Sequence, residues 1–336
     1  MIRPSRPSRQ PKREPWTRER LLHERAIALG QAIDEGTWKN YGSVLNSYLS
    51  FVRMHDFPVN PTADTLSFFT VYMCHHIKPD SIATYLSGIC QQLEPYFPDV
   101  RAIRKSTLVH RTLQGCMRLK GSPAVRKRAL TLDNIAIVLA FYHDLDSITH
   151  DNLLFICMLM TGFFALMCLG ELSFPDDHSL RDWRKVTKRS SVQVNDDHYG
   201  FFLPAHKANK FFEGNRIIIC AQQIRHNPLS YFRQYLASRN RLFPLASPLW
   251  LTSSGEVPTR SFFIQHLRTF FDKDVAGQSM RASGATSLAE NGTPPSVIQA
   301  IGRWASDTFQ IYVSKSPVLI QALLFGRERA NNPPLP

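Results

Sequence analysis

The segment Leu153 to Leu169 is almost wholly apolar, and it restricts the fold more than any other run in the chain. A stretch of this length either crosses a bilayer, which takes about 20 residues, or is surrounded by other elements of its own domain. Thr161-Gly162 interrupts it, and Asp151 and Glu171 flank it. These polar breaks favour burial, as a core helix followed by a second helical turn. The chain is 336 residues long and 43% hydrophobic, enough for two cores at roughly 100–200 residues per domain.

Periodicity divides the rest. Thr37 is placed to cap a helix whose Trp38, Tyr41, Leu45, Tyr48 and Val52 recur at three- and four-residue spacing. Pro58 and Pro61 end it, Thr62 or Asp64 starts a second helix, and Pro79-Asp80 a third. A fourth covers roughly Ser106 to Leu119, so the spacing predicts a four-helix bundle over 17–119. Residues 120–130 read as a basic linker, 131–326 as a mixed domain and 327–336 as a tail. In the mixed domain, strands are expected at Ser191 to Val194, Tyr199 to Leu203 and Arg216 to Cys220, with Lys207 and Lys210 in the hairpin between the last two. Helices are expected again at Pro228 to Arg239, Arg260 to Phe271 and Ser279 to Glu290, the last closed by Asn291-Gly292. Thr293-Pro294-Pro295 opens another, which ends near Trp304, and Ser306-Asp307 caps a short one with Phe309 and Tyr312. The fold class is therefore mainly α with a small antiparallel sheet, α+β.

The net charge is +13, and it is unevenly placed. Met1 to Arg20 holds seven Arg or Lys and two acids. This stretch, Arg- and Pro-rich without an apolar core, reads as a flexible basic arm over 1–16 in a chain that works inside the cell. Arg101, Arg104, Lys105, Arg111, Arg118, Lys120, Arg126, Lys127 and Arg128 form a second patch with no acid among them. Outside the two patches the chain is close to neutral. Concentrated positive charge is the footprint of a protein that neutralises phosphates, so these nine residues are the expected nucleic-acid contacts. No amphipathic anchor accompanies them, which argues against a membrane surface. The six cysteines make no C-x-x-C pair or zinc spacing and are expected as small core residues; the histidines form no ligand pattern.

Gln278-Ser279-Met280-Arg281-Ala282-Ser283-Gly284-Ala285-Thr286, then Ile301-Gly302-Arg303-Trp304, then Tyr312 ten residues after Gly302 form one pattern. It resembles the C-terminal signature of the tyrosine recombinases of the phage-integrase superfamily. There a His-x-x-Arg opens one helix, Gly-His or Gly-Trp ends another, and the nucleophilic tyrosine follows at this interval. Gly302-Arg303-Trp304 and Leu323-Leu324-Phe325-Gly326 are closest in wording to recombinases of fungal mobile elements. The resemblance covers roughly Thr17 to Phe325. It implies a helical, SAM-like core-binding domain and a mixed catalytic domain that grip duplex DNA as a C-shaped clamp.

The resemblance also implies roles. Tyr312 is the expected nucleophile, forming a 3′-phosphotyrosine; Arg281 is a phosphate clamp, its planar fork suited to bidentate binding. Lys207 is the expected general acid, with Lys210 the weaker choice. No metal or cofactor is implied. Three positions depart from the pattern: Cys168 stands at the first arginine of the family's Arg-x-x-Glu-Leu segment, Gln278 at the histidine, and Arg303 at the His or Trp position, with Trp304 beside it. Cys168 reads either as an inert buried thiol or as an alternative nucleophile. The expectation is a DNA-binding recombinase-like protein of mobile-element origin with impaired catalysis. A working recombinase with a reduced residue set and a non-catalytic DNA-binding regulator are the alternatives. The apolar segment Pro317 to Phe325 implies homo-oligomers on DNA, in the nucleus if the source is eukaryotic.

Overall fold

The computed structural model describes residues 14–123, 127–143, 148–206, 212–222 and 227–304. The chain forms two compact units, Met1–Ala124 and Val125–Pro336. In the first, the described residues form α1 (Arg18–Gly30), α2 (Glu35–Met54), α3 (Ala63–Met73), α4 (Pro79–Leu93), α5 (Val100–Arg104) and α6 (Thr107–Lys120). These are two helices more than the spacing predicted, because α1 buries no residue and α5 is only five residues long.

Local signals start most of these helices. Thr62 accepts the Thr65 N–H while the Thr65 hydroxyl takes the Thr62 N–H, a reciprocal cap. Pro79 occupies the first turn of α4, and Ser106 caps α6. Helix α2 begins ahead of Thr37, since Asp34 accepts the Thr37 N–H at 2.9 Å. Its buried stripe is Val44, Tyr48, Phe51 and Val52, and Trp38, expected on that stripe, is half exposed. Tyr48 and Phe51 meet Phe69 of α3 edge-on, and Leu66, Ile82, Leu86, Ile89 and Val109 complete the core.

The second unit is organised by the apolar run. It contains α7 (Leu132–His143), α8 (His150–Phe164), α9 (Leu169–Leu172), β1 (Gln193–Val194), β2 (His198–Leu203), β3 (Asn215–Cys220), α10 (Pro228–Leu242), α11 (Arg260–Arg268), α12 (Gly277–Glu290) and α13 (Pro295–Gly302). Every residue of α8 from Leu153 to Phe163 is buried. Among the described residues, no helix is long and apolar enough to cross a membrane.

The strands form an antiparallel sheet in the order β1-β2-β3, with Phe201 opposite Ile217. Tyr199, Phe201, Leu203, Ile217 and Ile219 face the core, and Tyr199 stacks on Phe232 of α10 at 3.9 Å between ring centroids. Strand alternation puts Cys220 on the outer face, so this cysteine is exposed and not a core residue. The first strand is shorter than expected because Arg189–Ser191 turns as a 3₁₀ helix. Gly292 takes φ +77° after α12, as Asn291-Gly292 predicts.

Candidate active site

The site begins where α8 ends. Leu166, fully buried, lies in the left-handed region at φ +49°, and the Met167 N–H returns to the Gly162 carbonyl at 2.9 Å. A branched side chain in this region is uncommon and marks a backbone that its surroundings hold in place. The reversal lets Cys168 open α9, where its backbone N–H donates to Glu171 Oε2 at 2.9 Å.

Helix α12 approaches this bend at nearly backbone contact. A Cβ at Gly284 would collide with the Phe163 carbonyl, and one at Gly162 with the Met280 sulfur. The close crossing brings Arg281 against the bend, where its Nη1 donates to Cys168 Sγ at 2.8 Å and its Nη2 to the Gly302 carbonyl. The guanidinium lies 4.5 Å from the centre of the Trp304 ring. Trp304 folds back over Gly302 so tightly that any side chain at 302 would strike its ring.

Arg303 takes a different role from its neighbour. It ends α13 in the left-handed region at φ +57° and turns its guanidinium inward. Its Nη2 meets Glu171 Oε2 at 3.0 Å, with both side chains under a tenth exposed, and its Nη1 donates to the Ala165 carbonyl at 3.3 Å. One carboxylate oxygen therefore joins the start of α9 to the end of α13. The Nε–H groups of Arg281 and Arg303 are buried with no hydrogen-bond partner among the described residues. Arg260, at the start of α11, lies over Gly170, its Nη2 3.0 Å from where a Cβ at 170 would stand.

The structure thus gathers Cys168, Arg281 and Arg303 around Glu171 and Gly302. Gln278 lies exposed on α12, one turn before Arg281. Lys207, Lys210 and Tyr312 fall outside the described residues. Cys168 is not an isolated buried thiol: it is partly exposed and touches a guanidinium. Residue-by-residue reading missed Glu171, whose signal is its position three residues after Cys168, the capping-box spacing. It also missed Arg260, which carries no local signal.

The basic patch is altered in three dimensions by acids, carbonyls and an imidazole that lie outside it in sequence. Arg101 pairs with Glu94 at 2.7 Å, Arg104 donates to the Ala83 carbonyl, and Lys120 lies 2.7 Å from His75 Nδ1. In the second unit Arg128 pairs with Asp274 at 2.7 Å, holding that carboxyl below its usual range, and Lys127 donates to the Lys273 carbonyl. Lys105, Arg111 and Arg118 are exposed without an ion-pair partner among the described residues, and Arg126 lies outside them.

Compared by sequence, the chain matches no family model and no curated protein. Compared by structure, its fold is that of site-specific recombinases and integrases. The XerH recombinase in a post-cleavage complex with its palindromic difH substrate superposes with a TM-score of 0.56 at 15% identity, over 84% of this chain and 79% of that one. The Tn1549 transposon integrase in complex with transposon right-end DNA gives 0.59 at 14%, over 93% and 99%. A lambda integrase dimer bound to a COC′ core site gives 0.56 at 13%, over 88% and 94%.

Proposed function

We propose that the chain is a duplex-DNA-binding protein of tyrosine-recombinase type, descended from a mobile element, in which strand cleavage is impaired. The contact between Arg281 and Cys168 carries this reading. A guanidinium suited to clamping a scissile phosphate has a cysteine sulfur 2.8 Å from its Nη1, at the sequence position where the family pattern has a second guanidinium. That XerH, the Tn1549 integrase and lambda integrase hold DNA in their structures supports duplex DNA as the ligand.

In the intact reaction the Tyr312 hydroxyl attacks a backbone phosphorus. An O–P bond to tyrosine forms as the phenol gives up its proton to water, the bond to the 5′-oxygen breaks, and that oxygen takes a proton from Lys207. Arg281 balances charge on the non-bridging oxygens. Loss of one preorganised donor slows such steps by about 10²–10³, and Gln278 removes the histidine as well.

A nicked suicide substrate tests the reading. The parent chain is expected to form little covalent adduct. The Cys168→Arg/Gln278→His variant is expected to form it, and the further change Tyr312→Phe to abolish it. No adduct in the restored background would overturn the recombinase chemistry and leave a non-catalytic DNA-binding regulator. Fast adduct formation by the parent would instead favour a working reduced set, the reading to which Arg260 beside Gly170 lends a second positive charge. The segment 317–325 lies outside the described residues; its proposed role is to join protomers on DNA, and sedimentation that finds monomers alone on DNA would reject it.

A further inference from the structure

Helix α6 carries a glycine in its interior for which the protein has no internal use. A Cβ at Gly115 would meet nothing within 4 Å, so no neighbour demands a small residue there. Gly88 of α4 is the opposite case, since the Tyr41 ring would stand 2.9 Å from its Cβ. Glycine is the poorest helix former after proline, and a helical glycine with open space above it is what close approach of an external backbone requires.

The residues around Gly115 define that visitor. Positions three and four away on a helix surround a given residue, and here they are Arg111, Thr112, Arg118 and Leu119. Arg111 and Arg118 are exposed and have no ion-pair partner among the described residues, and Leu119 is 85% exposed. Gly42 of α2 is also open, but Trp38, Lys39, Leu45 and Asn46 surround it, with one charge among them.

We infer that Gly115 is a seat for one phosphodiester strand of duplex DNA, with Arg111 and Arg118 gripping phosphates on either side of the closest approach. The seven-residue separation puts their Cα atoms about 10 Å apart along the helix, roughly three nucleotide rises of a duplex strand. Leu119 then lies against the sugars. The inference rests on the DNA-binding reading above and adds where the strand touches the first unit.

The test compares Gly115→Ala, Gly115→Leu and Arg111→Ala/Arg118→Ala in the full chain, by thermal unfolding and by duplex affinity across a salt series. Alanine at 115 is expected to raise the melting temperature by roughly 2–6 °C, since nothing opposes it sterically. Leucine, also a good helix former, is expected to leave the chain folded and to weaken duplex binding at least tenfold. Both it and the double arginine variant should flatten the slope of log K against log salt by about 2. A folded Gly115→Leu chain with the parent's affinity and slope would overturn the seat while leaving DNA binding intact. An unchanged slope in the arginine variant would overturn it too, even if the leucine chain failed to fold. A parent chain that binds no duplex would remove both readings.

Discussion

Arginines do opposite work in two parts of this molecule. Around the α8–α9 bend, Arg303 is nearly buried against Glu171, and Arg281 is held by a thiol, a carbonyl and an indole face. On α6, Arg111 and Arg118 stand in water with no ion-pair partner among the described residues. A desolvated guanidinium needs its partners to exist at all and so acts as a structural joint. A solvated one costs the fold little and remains available to a ligand. The count of positive charges ranks the α6 patch first, whereas burial and partners separate a buried, contacted arginine cluster from two solvated arginines unpaired among the described residues.

The largest expected effect breaks the buried joint. Glu171→Ala leaves Arg303 charged and unpaired inside the second unit and frees the Cys168 N–H, so stability should fall by about 3–5 kcal/mol. Glu171→Met combined with Arg303→Met should recover most of that loss, because the two sites are in contact and their effects do not add. Chemical denaturation of the two variants checks this, and equal losses in the single and the double variant would mean that the joint does not depend on pairing.

A middle-sized effect belongs to the first unit. Asp34→Ala removes the carboxylate that accepts the Thr37 N–H and is expected to destabilise by about 1 kcal/mol, the usual size for a lost cap. Arg111→Ala or Arg118→Ala should change stability by less than about 0.5 kcal/mol, as exposed substitutions do. Each should nonetheless flatten the salt dependence of duplex binding by about one unit of slope. A large stability loss from either arginine would erase the distinction between the two regions.

How much of this was readable beforehand follows the same division. Helix starts at Thr62, Pro79 and Ser106 were legible because a cap or a proline acts within three or four residues. Asp34 carries no such signal, because Thr37 is an equally good capping type and the choice depends on where the preceding turn releases the chain. Of the candidate site, the resemblance to a family named Cys168, Arg281 and Arg303, which lie together, with no view of their partners; Gln278 lies exposed, and Lys207 and Tyr312 fall outside the described residues. Arg281 and Cys168 are 113 residues apart, and Arg303 and Glu171 are 132 apart. Those contacts depend on the Gly162 and Gly284 close approach and on two left-handed residues, Leu166 and Arg303, for which no local pattern argues. The apparent freedom of the basic patch failed for a similar reason, since Glu94 and Asp274 lie outside it in sequence.

The smallest effect is a carboxylate in open water. Asp176 accepts the hydroxyl and the backbone N–H of Ser261 at the start of α11, the element that also carries Arg260. The Ser261 hydroxyl, ahead of its backbone N–H, the Thr259 hydroxyl and the Arg260 charge, holds this carboxyl below its usual range against the opposing effect of burial. A group whose pKa is depressed on folding contributes stability that is complete above its unfolded value, about 3.9, and that disappears as pH falls through the folded value. Asp176→Asn should therefore weaken the fold slightly at neutral pH and not at all in strong acid, where the parent's own carboxyl is protonated. Measured as unfolding free energy across an acid series, the two curves should converge as pH falls. Curves that stay parallel would show that the serine contacts, and not the charge, anchor α11.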